Sequence, residues 1–143
     1  MPSKNELTVA GSFENLAKIS DFVEQAAQQA GLDERSVYAI QMAVDEACTN
    51  IIEHAYGGEG KGRIRLTCSV QRDGLQIEIY DQGVAFDPDE VPELNTQAPA
   101  GERQPGGMGL FFIRKLVDRA EFTFGTRQGN RLTLFKRREA SHD

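Results

Sequence analysis

The sequence lacks an apolar run long enough to cross a bilayer, which takes about 20 residues. Its opening, Met1-Pro2-Ser3-Lys4, leads into no apolar core of a signal peptide. Neither membrane insertion nor export is expected, and the default location is the cytoplasm. A surplus of basic residues is also missing: 16 Lys and Arg stand against 22 Asp and Glu, a formal net charge of -6. Direct nucleic-acid binding, which depends on neutralising phosphates, is disfavoured. The Lys136-Arg137-Arg138 cluster is short and reads as a solvated tail. Cysteine is scarce as well. Cys48 and Cys68 form no CxxC or other zinc spacing and read as buried free thiols in a reducing compartment.

The 143 residues are 39% hydrophobic and 27% charged, enough for one domain, 1–143, around one sizeable core. No internal repeat is visible. Alternation predicts a strand over 6–11. Leu16, Ile19, Val23, Ala26 and Ala27 recur at helical spacing, predicting a helix over 13–30 with Ser12 as its cap and Gly31 as its end. Asp33 opens a second helix with Val37, Ile40, Val44, Cys48, Ile51 and Ala55 on one face, stopped by Gly57-Gly58. Two alternating segments, 63–72 and 75–80, flank an Asp73-Gly74 hairpin turn. Periodicity then dissolves from 87 to 105, a length that in a compact domain points to a functional or disordered loop. A third helix is predicted over 109–118, and two strands, 121–127 and 131–136, follow. The order implies an α+β two-layer sandwich with a mostly antiparallel sheet covered on one face.

Three constellations carry chemistry. Glu46, Asn50 and His54 recur every four residues, within an arc of roughly 80° beside the apolar stripe. The Asn oxygen suits Mg²⁺, and a carboxylate one turn earlier suits a base. The same pattern also describes a solvated helix face. Next, Asp81-Gln82-Gly83 follows an alternating strand. A carboxylate there can accept a hydrogen bond from an exocyclic amino group, the feature separating adenine from guanine; it can equally close a polar turn. Finally, Gly106-Gly107-Met108-Gly109-Leu110 precedes an apolar helix. Its free N–H groups can attract phosphate, or the run can be a flexible helix entry. It is neither a Walker A loop, since no Gly-Lys-Ser/Thr follows, nor a dinucleotide fingerprint, since no strand precedes it in a βαβ unit.

The order and spacing of all three resemble the N, G1 and G2 boxes of the Bergerat-fold (GHKL) ATPases over nearly the whole chain. The stretches Glu46-Ala47-Cys48-Thr49-Asn50, His54-Ala55-Tyr56, Phe86-Asp87 and Gly106-Gly107-Met108-Gly109-Leu110-Phe111 look like the anti-sigma factor serine/threonine kinases of bacterial partner-switching systems. The resemblance implies transfer of the ATP γ-phosphate to an anti-anti-sigma (STAS-type) partner, alternating with sequestration of a sigma factor. It also implies a homodimer.

By the same resemblance, Glu46 is the base and Asn50 the Mg²⁺ ligand. Asp81 contacts the adenine amino group and Gly83 makes room for the base. The backbone of Gly107 and Gly109, within Gly106, Met108 and Leu110, faces the phosphates under a mobile lid at about 93–105. His54 lies near the phosphates, and Arg103 in the lid reaches toward a phosphate oxygen. Two departures stand out: Ala85 replaces the second glycine of the G1 box, and Asn130 follows Gly129 where the family carries Thr in support of the adenine contact. The Asn130 departure leaves open a nucleotide-gated protein-binding module with little or no turnover. A histidine-kinase fragment or a cycling ATPase is less expected, since neither a dimerisation helix nor a transducer domain has room here.

Overall fold

The computed structural model describes residues 4–84, 109–127 and 129–139. The lid segment, Ala85, Arg103, Gly106, Gly107 and Met108 therefore lie outside the described residues, and of Gly109 and Leu110 only the backbone is described.

Strand β1 (Lys4–Ala10) leads through a 3₁₀ turn (Phe13–Asn15) into α1 (Leu16–Gln29). The expected Ser12 cap makes no side-chain bond. Instead the Asn15 amide donates to the Ala10 carbonyl at 2.8 Å, and the Glu59 carboxylate accepts the Phe13 N–H at 2.8 Å. Helix α2 (Glu34–Asn50) begins as anticipated, with the Asp33 carboxylate accepting the Ser36 N–H at 2.8 Å. It does not run on as α-helix to Ala55. Ile51–Ala55 forms a π turn, closed by the Tyr56 N–H on the Ile51 carbonyl at 2.9 Å.

Strands β2 (Arg63–Gln71) and β3 (Gly74–Asp81) form the hairpin; α3 (Gly109–Leu116), β4 (Arg119–Thr126) and β5 (Gly129–Arg137) complete the order. The sheet runs β1-β2-β3-β5-β4, every neighbouring pair antiparallel. Because side chains alternate across a strand, Ile64, Leu66, Leu75, Ile77, Ile79 and Leu134 share one face and are fully buried. They join Ile19 and Val23 of α1, Ile40 and Val44 of α2 and Ile113 of α3 in one core. The opposite face carries ionic pairs and cation–π contacts, among them Arg131 with Glu78 and Arg65 over the Tyr80 ring. Both cysteines are free and buried.

The basic cluster is not a solvated tail. Lys136 and Arg137 belong to β5, and Arg138 reaches back to donate to the Arg72 carbonyl at 2.8 Å and the Ala30 carbonyl at 3.5 Å. Ala30 caps the C-terminal end of α1, so the guanidinium serves a carbonyl at the helix terminus. Among the described residues, no helix is long and apolar enough to cross a membrane.

Candidate functional site

The C-terminal end of α2 faces the end of β3. Asn50, the last residue of α2, is 5% exposed, and its buried Oδ1 has no hydrogen-bond partner among the described residues. An orphaned buried carbonyl oxygen is costly, and a cation would relieve it. The donor is hard and neutral, as Mg²⁺ prefers. No group of three or more His, Cys, Asp or Glu side chains is gathered to hold a metal among the described residues. Mg²⁺ takes few protein ligands and keeps several waters.

Glu46, one turn back, is half-buried. Burial raises its pKa above the ordinary carboxylate value, and repulsion from Asp45 and Glu53 adds to the rise. A carboxylate so placed is a better proton acceptor than one in water. His54 sits in the π turn, half-buried.

Asp81 closes β3 and is 5% exposed. Its Oδ1 accepts two hydrogen bonds, from the Gly83 N–H at 2.9 Å and from Asn130 Nδ2 at 3.0 Å. Asn130 lies directly across the β3–β5 pairing and also donates to the Gly83 carbonyl at 3.0 Å. The departure noted at 130 is therefore a direct support: one amide orients both the carboxylate and the turn after it. Oδ2 makes no hydrogen bond among the described residues, which leaves an acceptor for a ligand. Burial raises the Asp81 pKa, while the bonds from Asn130 and Gly83 pull it down.

Asn50, Asp81 and Asn130 line one pocket with Ile51, Phe122 and Leu132 as apolar walls. Its accessible volume is about 10 Å³, roughly the room one water needs. Gly83 is bare for a reason the sequence did not suggest. A Cβ there would stand 2.4 Å from the Ala55 carbonyl oxygen, so the close approach is to the protein's own helix end. Sequence reasoning also missed Phe122 as a pocket wall, because an aromatic in an alternating strand signals only core. Tyr56, noted only within a motif, sits against the 81–84 turn.

Residues 9–136 match the model of the histidine kinase-like ATPase domain. A serine-protein kinase RsbW from Halalkalibacterium halodurans is 34% identical over 124 residues, 84% of this chain and 75% of that one. The RsbW of Bacillus velezensis is 36% identical over 83 residues, and there the match spans 55% of this chain and about half, 52%, of the relative. Among solved structures, the RsbU and RsbW domains of a Mycobacterium tuberculosis protein superpose with a TM-score of 0.67 at 20% identity, covering 94% of this chain and 32% of that one, a likeness of fold. With the match extending from β1 into β5, the chain belongs to the histidine kinase-like ATPase domain family and groups there with the RsbW serine-protein kinases.

Proposed function

We propose that this chain is an ATP-dependent serine/threonine-protein kinase that acts in the cytoplasm as an anti-sigma factor. In this reading it phosphorylates an anti-anti-sigma partner of the STAS type, sequesters a sigma factor, and works as a homodimer. The observation that carries the reading is the orphaned, buried Asn50 oxygen sharing a pocket with an Asp81 carboxylate held by Asn130. That pairing gives a cation and an adenine amino group separate places. The names of the RsbW relatives support the kinase assignment.

Phosphoryl transfer asks a protein for positioning and charge neutralisation more than for covalent chemistry. Asp81 Oδ2 accepts the adenine amino hydrogen, and the apolar walls exclude water from the base. Asn50 Oδ1 would hold a Mg²⁺ ion, whose charge would neutralise the phosphates. Glu46, its pKa raised by burial and by Asp45 and Glu53, takes the proton of the acceptor hydroxyl. The backbone of the glycine run ending at Gly109 serves the phosphates, with Arg103 and the 93–105 lid closing over them. The alternative of a nucleotide-gated binding module drew on the Asn130 departure, and Asn130 supports Asp81 directly.

The test is γ-phosphate transfer from labelled ATP to partners captured from the source organism, read by intact mass. Glu46→Gln should bind Mg-ATP with near wild-type affinity while losing transfer. Equal turnover by the variant would remove Glu46 from its role. Capture and release that follow the nucleotide without any mass change would replace the kinase by the gated module.

A further inference from the structure

Tyr56 follows the π turn directly and reaches across to the turn that carries Asp81. Its hydroxyl accepts the Gln82 N–H at 2.9 Å and donates to the Arg63 carbonyl. In the β2–β3 pairing Ile64 stands opposite Asp81, so Arg63 and Gln82 are the next pair in register. The phenol is thus inserted where the ladder would otherwise close on itself. Burial pushes the phenol pKa up, so the hydroxyl keeps its proton and can donate at neutral pH.

The ring is fixed as firmly as the hydroxyl. A Cβ on Gly62 would fall 2.3 Å from Cε1 of Tyr56, so the ring occupies the space a side chain would take. One residue beyond Gly83, the Val84 N–H donates to the Ala55 carbonyl at 2.8 Å. Residues 82 and 84 are therefore each bonded to the end of the second helix, with Gly83 pressed between them against Ala55. The Gly83 N–H is one of the two donors that orient Asp81 Oδ1, Asn130 Nδ2 being the other.

From this chain of contacts we infer that Tyr56 is a positioning residue for base recognition, aiming the Asp81 carboxylate by holding the Asp81–Gln82 peptide. The inference rests on the reading that Asp81 accepts the adenine amino group. It assigns to the second helix a part in specificity separate from the one played by Glu46 and Asn50.

The test compares affinities for Mg-ATP and Mg-ITP, which carries a carbonyl where adenine has its amino group. Wild type should prefer ATP. Tyr56→Phe keeps the ring over Gly62 and loses both hydrogen bonds, and the ATP-to-ITP preference should narrow by about 3- to 10-fold, the scale of one net hydrogen bond. Gly62→Ala, which displaces the ring from the other side, should narrow it similarly and provides a second route should Tyr56→Phe fold poorly. In an Asp81→Asn background, Tyr56→Phe should leave the ratio unchanged. A merely structural role would weaken ATP and ITP alike and leave the ratio intact in every background. A wild type without preference would overturn both the Asp81 reading and the inference. A wild-type preference that survives Tyr56→Phe, or survives Gly62→Ala if only that variant folds, would overturn the role of Tyr56 alone.

Discussion

Replacing Asn130 tests whether one amide holds the base-recognition turn together. Its Nδ2 group serves two acceptors, the Asp81 carboxylate and the Gly83 carbonyl, each at 3.0 Å, in a side chain 7% exposed. A hydrogen bond to a charged group is worth about 1.5–3 kcal/mol and one to a neutral carbonyl about 0.5–1.5 kcal/mol. Asn130→Ala removes both and leaves two acceptors buried, so a loss of about 2–4 kcal/mol is expected. At the middle of that range the melting temperature should fall by roughly 6–12 °C for a chain of this size. Asn130→Asp sharpens the argument. It exchanges the donor for a second carboxylate facing the first, and two carboxylates so close cannot both ionise cheaply. Burial already raises the Asp81 pKa, and the substitution removes one of the bonds that lowers it. With folded-state values above those of the unfolded chain, the penalty is full at neutral pH and is relieved as pH falls through the raised value. Urea unfolding followed by circular dichroism should show Asn130→Asp below Asn130→Ala at neutral pH and converging with it under mild acid. A loss under about 0.5 kcal/mol for Asn130→Ala, below the usual worth of a single bond, would refute the reasoning. So would an Asn130→Asp no worse than Asn130→Ala at neutral pH.

The acid limb of the phosphotransfer rate should lie above the ordinary Glu range, because Glu46 must be deprotonated to act and burial raises its pKa. Glu53→Gln removes one of the repulsive neighbours and should move that limb to lower pH; an unmoved limb would assign it to another group. Gly83→Ala forces a Cβ to within 2.4 Å of the Ala55 oxygen and should cost about 1–3 kcal/mol in urea unfolding, whereas a neutral effect would mean the helix end yields freely. Both thiols should resist a disulfide reagent in the folded protein and react once it is unfolded. Cys68 is pushed up to about 12 by burial and Cys48 higher still by burial, Asp45 and Asp81; rapid native labelling would contradict their burial.

The architecture was legible wherever apolar periodicity met a chain-breaking residue. Asp33 and Gly31 bracket helices, and the alternation through Ile64, Leu66 and Cys68 matches a buried sheet face. The π turn was not legible, since Ile51 and Ala55 continue the helical apolar spacing and only the hydrogen bond from Tyr56 to Ile51 distinguishes it. Glu46, Asn50 and Asp81 could be picked out because each occupies a polar position at the end or edge of an apolar pattern. Position 130 was marked by the family resemblance, but its direct bond to Asp81 was not legible, because it depends on a register between residues 49 apart. Arg138 was misread for a similar cause: a charged residue near a chain end looks solvated until tertiary folding brings the Ala30 and Arg72 carbonyls to it.

A π turn amounts to one residue more than a regular helix needs for the same advance, and here that residue acts as a change of phase. Were residues 51–55 to wind as α with none deleted, everything after them would rotate by about 100° around the axis. Glu46 and Asn50 would keep their direction, while Ala55 and Tyr56 would swing away from Val84, Gly62 and Gln82. One continuous rod thereby addresses two surfaces at once, its first part in step with the core and pocket, its last turn in step with the glycine loop. The pocket and the loop are tuned to each other by the length of five residues.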